Sequence, residues 1–156
     1  RLFTKRAQRD IIRADMVEQL TNYIEIFASS ERFGKRRGDR VKDGRVISLE
    51  MPYVDYSAPV KDFITLVYKF DKTYPQFKMY DHIKTLKRHK IEWCIYDIRE
   101  ADVSKADARL VLALIMGTIR GEIFSAGNLL FCLENGIVTR WLERLREIDQ
   151  KSKSVK

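Results

Sequence analysis

The chain has 156 residues, 45% of them hydrophobic and 11% aromatic, enough apolar matter to bury the core of one domain and to exclude a wholly disordered chain. Its formal net charge of +8 favours encounters with nucleic acid, anionic membrane surfaces or acidic protein faces over cationic partners. The longest uninterrupted apolar run, Leu110 to Met116, has seven residues where a membrane-spanning helix needs about 20, so no membrane partner is expected.

From Gln8 to Ala28 the spacing of Val17, Leu20, Ile24 and Phe27 predicts an amphipathic helix. The next stretch, Glu31 to Glu50, gathers three glycines and seven Lys or Arg, a composition that core packing does not explain. Asp43 and Gly44 offer a turn ahead of the alternating Val46 to Met51 segment, so residues 29–50 are expected to form a flexible basic loop or a short β-hairpin. Ser57 is placed to cap a following helix, with Pro59 tolerated in its first turn and Val60, Phe63, Ile64, Val67 and Tyr68 on its buried face. Tyr53 and Tyr56, at the entrance of that helix, are expected to pack on the core.

After the Tyr74-Pro75 boundary, Phe77, Tyr80, Ile83 and Leu86 suggest another helix, whose wet side carries Lys84, Lys87, Arg88 and Lys90. Ile91 to Ile98 fits a strand or, equally well, a buried helical or irregular piece. Ser104 and Asp107 form a capping arrangement before a helix that is apolar nearly all round and therefore central. A short helix from Ser125 to Asn135 ends at Gly136, and a third places Val138, Trp141, Leu142, Leu145 and Ile148 on one stripe. The pattern predicts a mainly α protein, a compact helical bundle spanning 1–150 as one domain, with the basic segment inserted after the first helix. Residues 151–156 read as a disordered basic tail.

Two stretches, GRVISLEMPYVDYSAPVKDFITLVY and DARLVLALIMGTIRGEIFSAGNLLFCLENGIVTRWLERL, resemble a bacterial family catalogued as domain of unknown function 6508, often met in firmicute genomes and their mobile elements. The matching features are the Met51 to Tyr56 run, the Arg120 to Gly127 turn and the Glu134-Asn135-Gly136 helix end. The family often has an acidic residue and Cys after Phe in that turn, where this chain has Ser125, which argues against thiol chemistry there. The resemblance implies a helical domain and brings no activity with it.

Catalytic signatures are missing from the sequence. His82 and His89 lie seven residues apart, roughly 10 Å along a helix, too far to share one ion, and neither metal nor cofactor is expected. Gly34 to Gly38 lacks the order of a phosphate-binding P-loop, and Ser57, Ser125 and Cys132 have no base nearby in sequence. Cys94 and Cys132, in apolar contexts, read as buried free thiols of a reducing, cytoplasmic compartment, and Trp93 and Trp141 read as core anchors.

What remains is cationic. Arg32, Lys35, Arg36, Arg37, Arg40, Lys42 and Arg45 in the glycine-rich segment, with Lys87 and Arg88 on the later helix, form the candidate binding set. Such a set grips phosphates without reading bases. The expected function is thus a non-enzymatic binding protein that engages nucleic acid or a nucleoprotein complex. The alternative is an accessory or anti-defence factor of a phage or mobile element, acting by inhibiting an acidic-faced protein partner.

Overall fold

Asp107 starts the central helix of the structure. Its extended backbone (φ −80°, ψ 171°) leaves the carboxylate free to accept a hydrogen bond from the Leu110 amide at 2.8 Å, and the chain then runs helically as α5. The computed structural model describes residues 17–38, 41–42, 44–46 and 52–154. In chain order these form a helical turn at 17–21, α1 (Tyr23–Ala28), β1 (Gly34–Arg37), β2 (Val41–Lys42), β3 (Arg45–Val46), β4 (Tyr53–Tyr56) and α2 (Ala58–Thr73). Two 3₁₀ turns, Pro75–Phe77 and Met79–Asp81, lead into α3 (His82–Arg88), α4 (Ile95–Glu100), α5 (Ala108–Gly121), α6 (Asn128–Glu134) and α7 (Ile137–Ser154).

The fold is mainly helical, with antiparallel β pairing inserted after the first helices. All residues of α5 from Leu110 to Ile119 are buried, because α3, α4, α6, α7 and the 3₁₀ turns surround it. α1 and α2 meet through an aromatic cluster in which Phe27 packs edge-on against Phe33 and Phe63, with ring centroids 5.8 and 5.3 Å away. α6 is fixed to α4 by Arg99, whose guanidinium lies 3.6 Å over the Phe131 ring while Nε donates to Asn128 Oδ1 at 2.8 Å. Gly136, at φ 71°, ends α6 and lets the chain reverse into α7, which buries Val138, Trp141, Leu142 and Leu145.

Several expectations are corrected. Ser57 does not cap α2 with its hydroxyl, which is buried without a partner among the described residues. Its amide instead donates to the Phe33 carbonyl at 2.8 Å, so the chain crossing, and not a side-chain cap, starts the helix. Ser104 likewise turns back onto Asp102, leaving the cap of α5 to Asp107. Lys78 adopts a left-handed conformation (φ 51°) that shifts the phase of the following turns: Met79, His82, Thr85 and Leu86 are buried, while Tyr80 and Ile83 are exposed. The 91–98 segment is a loop followed by α4. Its Cys94, expected to be buried, sits exposed at the start of that helix, whereas Cys132 is buried. Helix α7 continues through residues 151–154, part of the stretch read as a disordered tail. The helix expected from Gln8 is seen from residue 17, and residues 8–16 lie outside the described residues.

Candidate nucleic-acid interface

The described residues of the basic segment pair with one another and with β4 as a β-ribbon. β1 pairs antiparallel with β4 in the register Gly34↔Tyr56, Lys35↔Asp55, Arg36↔Val54 and Arg37↔Tyr53. A second, nested pair joins β2 to β3 across the expected turn, where Gly44 takes a φ of 75°. Gly34 is required by the first pair: a Cβ there would lie 2.9 Å from Val54 Cγ1 and 3.1 Å from the Asp55 carbonyl.

Directly paired residues share a face of a ribbon, and alternate pairs point opposite ways. Gly34, Tyr56, Arg36 and Val54 therefore form one face, and it meets the bundle. The Tyr56 hydroxyl donates to Glu122 Oε2 at 2.5 Å, and Arg36 Nη2 lies 3.6 Å from Glu134 Oε1. The same Glu122 carboxylate accepts from the Gly127 and Leu129 amides, each at 3.1 Å, so one side chain both holds the ribbon and caps α6. Burial first, and then this carboxylate, push the Tyr56 phenol far above its ordinary value, keeping it a donor.

The opposite face carries Lys35, Arg37, Tyr53 and Asp55, all exposed. Asp55 sits between two cations, 3.7 Å from Arg37 Nε and 3.5 Å from Lys61 Nζ on α2. Three cations thus stand against one carboxylate, and Arg32 and Arg45, also exposed, add to the charge of the segment. Tyr53 was expected to pack on the core; it is 48% exposed, because the strand parity that buries Tyr56 turns Tyr53 outward.

The predicted site residues separate accordingly. Lys35 and Arg37 share the outer face with Lys61, which sequence reasoning missed, while Arg36 belongs to the inner face. Arg40 lies outside the described residues, and Lys42 falls in β2. Lys87 and Arg88 occupy the exposed last turn of α3, and among the described residues no hydrogen bond or ion pair joins them to the ribbon. The signal for Tyr53 and Lys61 was present in the period-two alternation of Tyr53-Val54-Asp55-Tyr56 and its nearness to the next helix.

Elsewhere, His82 is buried and His89 exposed at the end of α3. Among the described residues no group of three or more His, Cys, Asp or Glu is placed to hold a metal ion. Burial pushes the Cys132 thiol up to about 11. An open depression of about 430 Å³ between α7 and the 100–104 loop is lined by Glu100, Asp102, Glu143 and Glu147 against Arg140 and Arg144, a balance that repels phosphate. An apolar recess of about 280 Å³ lies between Trp93, Ile98, Gly117 and Phe124. No helix among the described residues is long and apolar enough to cross a membrane.

Fold and ribbon together define a helical protein carrying a basic β-ribbon. The sequence model of a family of unknown function (DUF6508) matches residues 12–151, and the chain belongs to that family. Neither a curated protein nor a solved structure matches it.

Proposed function

We propose that the protein is a non-enzymatic binding protein that holds the phosphate backbone of a nucleic acid on the outer face of its β1–β4 ribbon. The observation that carries this reading is the register, which sends Lys35, Arg37 and Tyr53 to the face away from the bundle, beside Lys61. Each phosphate neutralised there releases condensed counterions, so affinity falls steeply with salt and is largely independent of sequence.

The test is a fluorescence-anisotropy titration of generic DNA and RNA at two salt concentrations. Lys35→Ala/Arg37→Ala is expected to weaken binding at low salt and to flatten the log–log salt slope by roughly 1.5, about 0.7–0.9 for each phosphate contact removed. Arg36→Ala, on the inner face, should bind as the wild type does. Absence of binding at low salt, or an unaffected double variant, rejects the reading.

A protein partner is favoured by a different observation, the 82% and 77% exposure of the consecutive Ile123 and Phe124. Salt-tolerant capture of one protein that is lost in Phe124→Ser would select it.

A further inference from the structure

We infer that the nucleic acid bound here is a single strand, laid from the ribbon along the exposed face of α2 with Tyr53 and Tyr68 as platforms for its bases. The inference rests on the phosphate-binding reading above and adds the form of the ligand.

The argument begins with helix phase. Residues at i, i+4, i+7 and i+11 of a helix share one face. From Lys61 these positions are Lys61, Thr65, Tyr68 and Lys72, all four exposed, opposite the buried stripe of Val60, Phe63, Val67 and Phe70. Thr65, between the lysine and the tyrosine, turns its hydroxyl back to the Lys61 carbonyl at 3.0 Å. Lys61 is also where the helix meets the ribbon, through Asp55. The outer ribbon face and the α2 stripe therefore form one continuous track, reading Lys35, Arg37, Tyr53, Lys61, Tyr68 and Lys72.

The α2 part alone, eleven steps of about 1.5 Å from Lys61 to Lys72, runs for about 16 Å. On the track itself Asp55, in β4, is flanked by Arg37 and Lys61, while the two α2 carboxylates lie off the stripe, Asp62 exposed beside Lys61 and Asp71 facing Arg120 at 4.0 Å.

Cations alone would grip a duplex or a strand equally. The aromatic rings separate the two. Tyr53 is 48% and Tyr68 37% exposed, and the large apolar face of each ring gains most from a flat apolar partner. The faces of bases are such partners, and a duplex hides them in its stack whereas a single strand offers them. Cationic groups alternating with aromatic rings along a track is the arrangement that binds single strands without reading sequence.

Tyr53→Ala, Tyr68→Ala and the matching Phe variants, each checked for unchanged circular dichroism and Tm, are titrated by anisotropy with a twelve-nucleotide oligo-dT, a twelve-nucleotide oligo-U and a duplex of the same length. Each Ala variant is expected to weaken single-strand binding roughly tenfold, the Phe variants to retain it, and duplex binding to be weaker than single-strand binding and unmoved by either tyrosine. If the duplex binds as tightly as the single strands, or the Ala variants bind oligo-dT and oligo-U as the wild type does, the inference is wrong. In that case Lys35→Ala/Arg37→Ala still decides the phosphate-binding reading separately, because it removes charge and leaves both rings in place.

Discussion

His82 sits at the joint between α3 and α5, 4% exposed, with its ring edge-on to Trp93 at 5.2 Å. Gly117 makes room for both rings: a Cβ there would meet His82 Cδ2 at 3.4 Å and Trp93 Cδ1 at 3.5 Å. No side chain partners either imidazole nitrogen among the described residues. Burial first, and then the charge of Arg120, hold the imidazole below its ordinary value of 6.5, with a backbone hydrogen bond at Met79 and the charges of Asp81 and Asp71 acting in the opposite sense. The linkage follows directly. Above about pH 6.5 the ring is neutral in both folded and unfolded chains and contributes no pH dependence. As pH falls through that value the unfolded chain takes up a proton that the folded site refuses, and stability drops until the lowered folded value is passed. His82→Phe keeps a ring against Trp93 and removes the titration. Urea denaturation between pH 7.5 and 5 should therefore show a flatter stability profile for the variant than for the wild type, and parallel profiles would remove His82 from the pH response.

At the scale of elements, the ribbon depends on one acidic side chain. Glu122 receives Tyr56 from β4 and two amides from the start of α6, whereas Arg36 and Glu134 are both exposed and their pair contributes little. Glu122→Ala leaves half-buried donors without an acceptor and is expected to cost about 2–3 kcal/mol. It should also speed amide exchange across residues 34–37, 53–56 and 127–129, while Arg36→Ala leaves these rates close to those of the wild type. Equal effects of the two variants would mean that the ribbon is anchored elsewhere. This dependence also explains what could be read in advance. α5 and α7 were legible because apolar periodicity and the Asp107 and Gly136 signals are local. The ribbon was legible only as a choice between loop and hairpin, because its strands are four residues long and the pairing of Lys35 with Asp55 joins positions twenty apart. Parity within that pairing decides that Arg37 faces outward and Arg36 inward, so the basic cluster was visible in the sequence but its division into two faces was not. Tyr68 was missed for a related reason: an aromatic residue at helical spacing reads as core, and only the packing of Phe63 and Phe70 against their neighbours shows that the face it occupies is uncovered.

For the molecule as a whole, the last helix closes on the first. α7 packs along α1, and Arg146 clamps the junction: its guanidinium reaches both Glu25 oxygens at 2.7 and 2.9 Å and the Thr21 carbonyl at 3.0 Å. Lys153 extends the closure to Glu18 and to Asp149, within its own helix. The two contacts differ in kind. A planar fork satisfied by a carboxylate and a carbonyl is pre-organised, while an ammonium on a flexible stem near a helix end gives up side-chain entropy for a screened attraction. Arg146→Ala is therefore expected to lower Tm clearly, and Lys153→Ala to change it little. The hydrogen bond from Arg146 holds the Glu25 carboxyl below its ordinary value of 4.5, so its contribution is fully present above that pH and is lost as pH falls through the lowered folded value. Raising salt to about 1 M, where the screening length shrinks to about 3 Å, should narrow the difference between the variants without abolishing it, because the neutral Thr21 carbonyl remains a partner that salt does not screen. Thermal melts of both variants at low and high salt check this. Equal Tm losses at low salt would mean that the chain closes through the apolar contacts of Val17, Leu20 and Ile24 alone, with Arg146 no more than a surface charge.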